Sequence, residues 1–197
     1  LTHLEGAYIH TIGMGDDATK PWMIAALRST AGNSYPTHAY GPIAQLLALD
    51  DDSFTVVKSL SSTLTTGLNT ALLRTKRGRS VLLQLDVSTP RPYSRMQTIC
   101  GTEGFAQKYP VPTLHLRGMS APLIGDEALT LSRKYMTSPA ALLWLEGERR
   151  GVSNPMNYAM DRSLIHCLTT GERFAAEVEE AAEWSSLVAL TGAEQLN

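Results

Sequence analysis

Hydrophobic and polar positions change their period along this chain, and the changes mark out its elements. Residues 2 to 12 place Leu4, Ala7 and Ile9 in a short alternating run, which predicts a strand. The stretch KPWMIAALRSTAG predicts a short helix, opened near Pro21 and stopped by Gly32. In PIAQLLALD, Ile43, Leu46 and Leu47 fall at helical spacing, and Pro42 suits a first turn because it has no amide to leave unpaired. That helix is predicted to begin near Gly41, leaving Tyr35 to His38 in the turn that feeds it. From residue 53 the period drops to two. SFTVVKSLSS, LNTALLRTK, RSVLLQLDVS, SRMQTICGT, GFAQKYP and PTLHLRG predict successive strands joined by short Gly, Pro and polar links. Links this short require antiparallel neighbours, since parallel ones need a crossover.

Helical spacing returns in DEALTLSRKYM, in NPMNYAMDRSLIHCLTTG and in EVEEAAEWSSLVAL. In the middle segment Asn154 is the predicted cap, Pro155 the first residue and Gly171 the stop. Its stripe of Met160, Leu164, Cys167 and Leu168 suits a helix lying over a sheet face. Strands followed by segregated helices predict an α+β fold. It is a large, mainly antiparallel, open-faced sheet with helices packed on one face, a single domain over residues 1–197.

Composition narrows the picture. With 197 residues and 43% hydrophobic residues the chain can bury one sizeable core. Lys and Arg number 17 against 19 Asp and Glu, without a one-sign cluster, so no nucleic-acid partner is expected. No apolar run has the length of a spanning helix, so no membrane partner is expected either. Cys100 and Cys167 provide neither a disulfide framework nor a metal spacing, and both are expected to be buried thiols. Leu1 lacks a preceding Met and strand pattern starts at once, which suggests a fragment or an excised domain.

Three familiar chemistries find little here. GMGDDA, residues 13 to 18, fits Gly-x-Gly-x-x-Ala, yet Asp16 and Asp17 would confront a pyrophosphate with two negative charges, so it reads as a polar turn. His3, His10, His38, His115 and His166 are scattered without a ligand spacing, so no metal is expected. No Gly-x-Ser-x-Gly elbow occurs. The stretch NSYPTHAYGP, residues 33 to 42, offers more. A helix start carries unpaired amides and a positive dipole end. There His38 can exchange a proton near neutrality and Tyr35 offers a hydroxyl on a stiff apolar body, a combination suited to gripping and deprotonating sugar hydroxyls. On residue types alone, packing is the stronger account, since a Tyr and a His at a helix entry are more often packed and hydrogen-bonded than catalytic. Tyr93 in RPYS is by default a surface aromatic, and Tyr8 and His10 share one face of the first strand, which is core or cleft.

Taken together, EGAYIH, YPTHAYGPIAQLLAL, LLRTKRGRSVLLQLDVSTPRPYSR, GTEGFAQKYP and the segment from Asn154 to Leu190 resemble the C-terminal half of glycoside hydrolase family 109. That family comprises NAD-dependent α-N-acetylgalactosaminidases within the Gfo/Idh/MocA oxidoreductase superfamily. The resemblance implies a two-domain enzyme, with an N-terminal Rossmann domain outside this chain binding NAD and this domain binding the carbohydrate. It implies hydrolysis by oxidation of the sugar, elimination, addition of water and reduction, with the cofactor regenerated. Carried over by position, the substrate-binding residues are Tyr8, Tyr35, Pro36, Thr37, His38 and Tyr93. His38 and Tyr8 become the proton-handling pair, and Tyr35 also lies near the cofactor. It further implies a homodimer paired through the open sheet face, an isolated chain without activity, and a bacterial cytoplasmic or periplasmic setting.

Departures from the family keep other readings open. Met23 stands where relatives carry an arginine after the tryptophan, and a thioether cannot supply the arginine's five donors. Ser153 and Asn157 replace a His and an Asp near the start of the late helix. A plain NAD(P)-dependent sugar or polyol dehydrogenase, or a non-catalytic dimerisation or carbohydrate-binding domain, are the alternatives.

Overall fold

A computed structural model describes residues 8–14, 21–48, 52–62, 67–90, 92, 94–174 and 177–193. Its contacts separate into two compact units. The first runs from the first strand to Gly125 and resumes at Ala181; the second covers Asp126–Glu180.

The first unit is built on an eight-stranded sheet. Its strands are β1 (Tyr8–Met14), β2 (Phe54–Ser61), β3 (Leu68–Thr75), β4 (Ser80–Asp86), β5 (Gln97–Gly101), β6 (Gly104–Gln107), β7 (Thr113–Leu116) and β8 (Leu123–Ile124). Between β1 and β2 lie α1 (Pro21–Ser29) and α2 (Thr37–Ala48), and α6 (Val178–Gly192) closes the chain. The spatial order is β2-β3-β4-β1-β5-β6-β7-β8. Alternation predicts each later strand, and the short links pair them antiparallel as expected. One join departs from that rule. β4 and β5 follow each other in sequence, yet β1 lies between them, parallel to β4 and antiparallel to β5. The link of residues 87–96 is long enough to step over one strand, and α1 and α2 supply the crossover that a parallel pair needs.

β1 extends to Met14, and Gly13 is a ladder residue opposite Leu85. The polar turn expected over residues 13 to 18 therefore does not include its first two residues, and Gly15 onward lies outside the described residues.

One sheet face is dry. Val57, Ala71, Leu73, Val81 and Leu83 point into a core closed by Ala39, Tyr40, Ile43 and Leu47 of α2 and by Leu187 of α6. Each fully buried large aliphatic side chain contributes about 1.5–3 kcal/mol. Tyr40 meets Phe54 edge-on at 5.7 Å between ring centroids. Burial and the carboxylates of Glu183 and Asp52 push the Tyr40 phenol well above its ordinary pKa. The opposite face is open, with Leu60 and Leu72 at 61% and 50% exposure.

The second unit holds α3 (Asp126–Arg133), α4 (Pro139–Arg149) and α5 (Pro155–Thr170). The predicted caps of α5 are present: Asn154 accepts from the amides of Met156 and Asn157, and Gly171 ends the helix at φ 75°. Within this unit the stripe is not the contact face. Met160, Leu164 and Leu168 are exposed, Leu168 at 76%, while the inner side of the helix, with Ala159 buried, pairs with α4. Periodicity finds an apolar stripe but carries no information on what the stripe meets. Cys100 and Cys167 are free thiols of intermediate exposure, so the expectation of buried thiols does not hold.

Candidate functional site

The segment between α1 and α2 is held at several points. Gly32 takes φ 76°, and a β-carbon there would lie 2.4 Å from the amide nitrogen of Gly192, so only glycine allows the end of α6 to approach this closely. The Asn33 amide donates to Thr191 Oγ1 at 2.8 Å, and the Tyr35 amide donates to Asn33 Oδ1 at 3.2 Å, closing an Asx turn. Ser34 Oγ donates to the carbonyl of Leu27 in α1 at 2.9 Å.

Pro36 then accepts the first two bonds of α2, from Ala39 at 3.1 Å and Tyr40 at 2.7 Å. The helix thus starts four residues ahead of the predicted Gly41, taking in Thr37 and His38 and leaving Pro42 inside. Pro42 has no amide for the carbonyl four residues back, but it does not unmake a turn already closed by the Pro36 carbonyl. Gly41 suits this early start, since a side chain there would strike the Trp184 ring at 2.9 Å.

This start brings two of the predicted site residues together. Tyr35 precedes the helix and His38 stands one turn later. Their rings stack at 4.7 Å and 29°, with the Tyr35 hydroxyl 3.3 Å from His38 Nε2. The proton between them can be held at either atom: the hydroxyl donates to a bare Nε2, or Nε2–H donates to the phenolic oxygen. His38 is exposed and Tyr35 half-buried, so the pair is open to a ligand. The Pro36 carbonyl takes up the Ala39 and Tyr40 amides, and the positive end of the helix dipole there favours a developing negative charge nearby. Pro36 is buried and Thr37 half-buried, so Pro36 packs rather than presents a polar group.

The other predicted residues are placed less fully. Tyr8 opens β1, between Ser80 of β4 and Cys100 of β5, and α2 packs beside this strand. The Tyr8 side chain and all of Tyr93 lie outside the described residues, so the structure does not bear on their meeting His38. The approach to residue 93 is described. Asp86, buried at the end of β4, accepts from the amides of Ser88 and Thr89 at 2.9 and 3.0 Å and from the Thr89 hydroxyl. Arg28 of α1 donates to the carbonyl of Val87 at 2.9 Å. Asn33, Thr191, Asp86 and Arg28 are support residues that sequence patterning did not single out. For Asn33 a signal existed, since an Asn ahead of a turn readily accepts from the backbone amide two residues on. For Thr191, distant in sequence, none did.

Among the described residues no group of three or more His, Cys, Asp or Glu could hold a metal ion, and no helix is long and apolar enough to cross a membrane.

Residues 64–195 match the family described as Glycosyl hydrolase 109, C-terminal domain. An alpha-N-acetylgalactosaminidase of Bacteroides fragilis is 37% identical over 229 aligned positions that cover 100% of this chain and 54% of the relative. A glycosyl hydrolase family 109 protein of Akkermansia muciniphila is 32% identical, covering 97% of this chain and 47% of its own length. The chain thus spans about half the length of the curated relatives it matches. Two solved structures share the fold at low identity. A UDP-N-acetylglucosamine 3-dehydrogenase from Acidithiobacillus ferrooxidans has a TM-score of 0.62 at 12% identity, over 95% of this chain and 52% of that one. An aldose-aldose oxidoreductase from Caulobacter crescentus has a TM-score of 0.62 at 13% identity, over 97% and 54%. The fold is that of the C-terminal domain of Gfo/Idh/MocA-type oxidoreductases, and by its matched residues and its relatives the chain belongs to glycosyl hydrolase family 109, as that family's C-terminal domain.

Proposed function

We propose that this chain is the carbohydrate-binding domain of an NAD-dependent enzyme that hydrolyses N-acetylgalactosaminide-type glycosides. The observation that carries the reading is the open, stacked Tyr35–His38 pair at the start of α2. A sugar hydroxyl meeting this pair can give its proton to the imidazole, while the Tyr35 ring, fixed by its backbone, sets the hydroxyl's approach. Thr37 adds a hydroxyl in the same turn. The 37% identical relative called an alpha-N-acetylgalactosaminidase supports the sugar class.

The described residues do not fit a dinucleotide cradle. Gly13, the first glycine of the only Gly-x-Gly-x-x-Ala run, lies within the β1 ladder rather than in a turn before a helix. In this reading NAD is bound mainly by a Rossmann domain outside these residues, with Tyr35 on the side facing it, and the chain alone has no activity. Tyr8 and Tyr93 complete the sugar site, Tyr8 sharing the proton with His38.

The test uses full-length protein and a chromogenic N-acetylgalactosaminide. His38→Ala is expected to lower kcat by about 10²-fold or more, the range of a general acid–base group, whereas Tyr35→Phe keeps the stacked ring and loses less. A His38→Ala enzyme as active as its parent removes His38 from the mechanism. Met23, which lacks the donors of an arginine, favours a second reading as a sugar or polyol dehydrogenase. Steady reduction of added NAD by a free sugar would establish that reading, because a redox-neutral hydrolase regenerates its cofactor.

A further inference from the structure

We infer that Asn33 is a positioning residue for the Tyr35–His38 pair and that Thr191, at the end of α6, holds Asn33 in place. The path is continuous in hydrogen bonds. Thr191 Oγ1 donates to the carbonyl of Leu187 at 2.6 Å and accepts from the Asn33 amide at 2.8 Å. Asn33 Oδ1 then accepts from the Tyr35 amide at 3.2 Å. The far end of the path is itself tied to the sheet. Ser59 Oγ of β2 donates to the Thr191 carbonyl at 2.9 Å, and Asn69 Nδ2 of β3 donates to that Ser59 oxygen at 2.8 Å.

Stability does not explain an asparagine at this place. Asn33 is 1% exposed, and its Nδ2 finds no hydrogen-bond partner among the described residues. Leaving a buried donor unmatched costs about 1–3 kcal/mol, a penalty that an apolar side chain would avoid. What an apolar side chain could not supply is the acceptor for the Tyr35 amide. That bond sets the backbone from which Tyr35 reaches over the first turn of α2 to stack on His38. His38 is exposed and Tyr35 half-buried, so the backbone from which Tyr35 springs bears on the angle of the stack. The tie to α6 and the sheet therefore orients a proton-holding pair on rigid elements, where small displacements weigh heavily on rate.

Four variants test this: Asn33→Ala and Thr191→Val remove the acceptor and the anchor, while Asn33→Ser and Thr191→Ser retain a hydroxyl able to make the same contacts more weakly. The first readout is the nuclear Overhauser contact between the Tyr35 and His38 rings, measured well below each variant's melting temperature. It is expected to disappear in Asn33→Ala and Thr191→Val and to return in the serine variants. The second readout rests on the proposed hydrolase: kcat of the full-length enzyme falls about 10- to 100-fold in the same two variants, with KM moving much less. Ring contact at parent strength in folded Asn33→Ala, with only the melting temperature lowered, would overturn the inference. If Asn33→Ala does not fold, Thr191→Val decides on the same criterion. A parent enzyme inactive on the glycoside would overturn the proposed function and leave the ring contact to decide the inference.

Discussion

Gly41 shows how much one absent side chain can set. A β-carbon there would stand 2.9 and 3.0 Å from two carbons of the Trp184 ring, closer than packed atoms come. Trp184 packs against the core, so Gly41→Ala requires its ring or one of the two helices to shift. The gain in helix propensity, about 1 kcal/mol, is outweighed by overpacking of about 1–3 kcal/mol. Gly41→Ala is expected to lower the urea midpoint, and an unchanged or raised midpoint would show that the two helices separate freely. The shift would also reach His38, three residues earlier in the same helix, so the pair's ring contact is a second measure of the same strain.

Among elements, the loop before β2 and the β3–β4 turn are joined by a buried ion pair. Asp52 Oδ2 meets Arg79 Nη1 at 2.6 Å with both side chains buried, and Asp52 Oδ1 accepts from the Arg77 amide at 2.9 Å. Burial pushes the Asp52 carboxyl up. The bonds from Arg77, Thr75 and Arg79 and the guanidinium charge outweigh it, and the pKa lies below the ordinary 3.8. A carboxyl lowered in the folded state contributes stability above its ordinary value and loses it as pH falls through the lowered one. Urea midpoints from pH 6 down to about pH 2 are therefore expected to fall more steeply for the parent than for Asp52→Asn. Arg79→Met alone strands a buried carboxylate and is expected to cost about 3–5 kcal/mol. Equal pH slopes for parent and Asp52→Asn would rule out the linkage. The KRGR turn that houses Arg79 was legible in sequence, because Gly and charged residues break an alternating run. The pairing of Arg79 with Asp52 was not, because it depends on which loop the turn meets. The caps of α5 were legible for the same local reason, and the exposure of its stripe was not.

At the scale of the whole molecule, the open sheet face carries the remaining prediction. Leu60 and Leu72 are exposed on neighbouring strands opposite the core face, and Leu82 pairs with Leu72 in register. We propose that this face pairs with a second copy of itself, since apolar side chains side by side on an open sheet mark an interaction surface. In the proposed homodimer, Leu72→Glu places like charges across the two-fold axis. Sedimentation is expected to show the parent as a dimer and this variant shifted toward monomer; a parent that stays monomeric rules out the pairing.

Residue order alone determined the strands from β2 to β7, the caps of α5 and the likeness of YPTH and PRPYSR to a sugar-site family, since periods, caps and motifs are local. Only the tertiary structure decided that β1 parts β4 from β5, that α2 starts at Thr37, and that the Asn33 amide meets the Thr191 hydroxyl. Those arrangements depend on groups far apart in the chain, up to 158 residues for Thr191 and Asn33, which meet only when the sheet and its helices have packed.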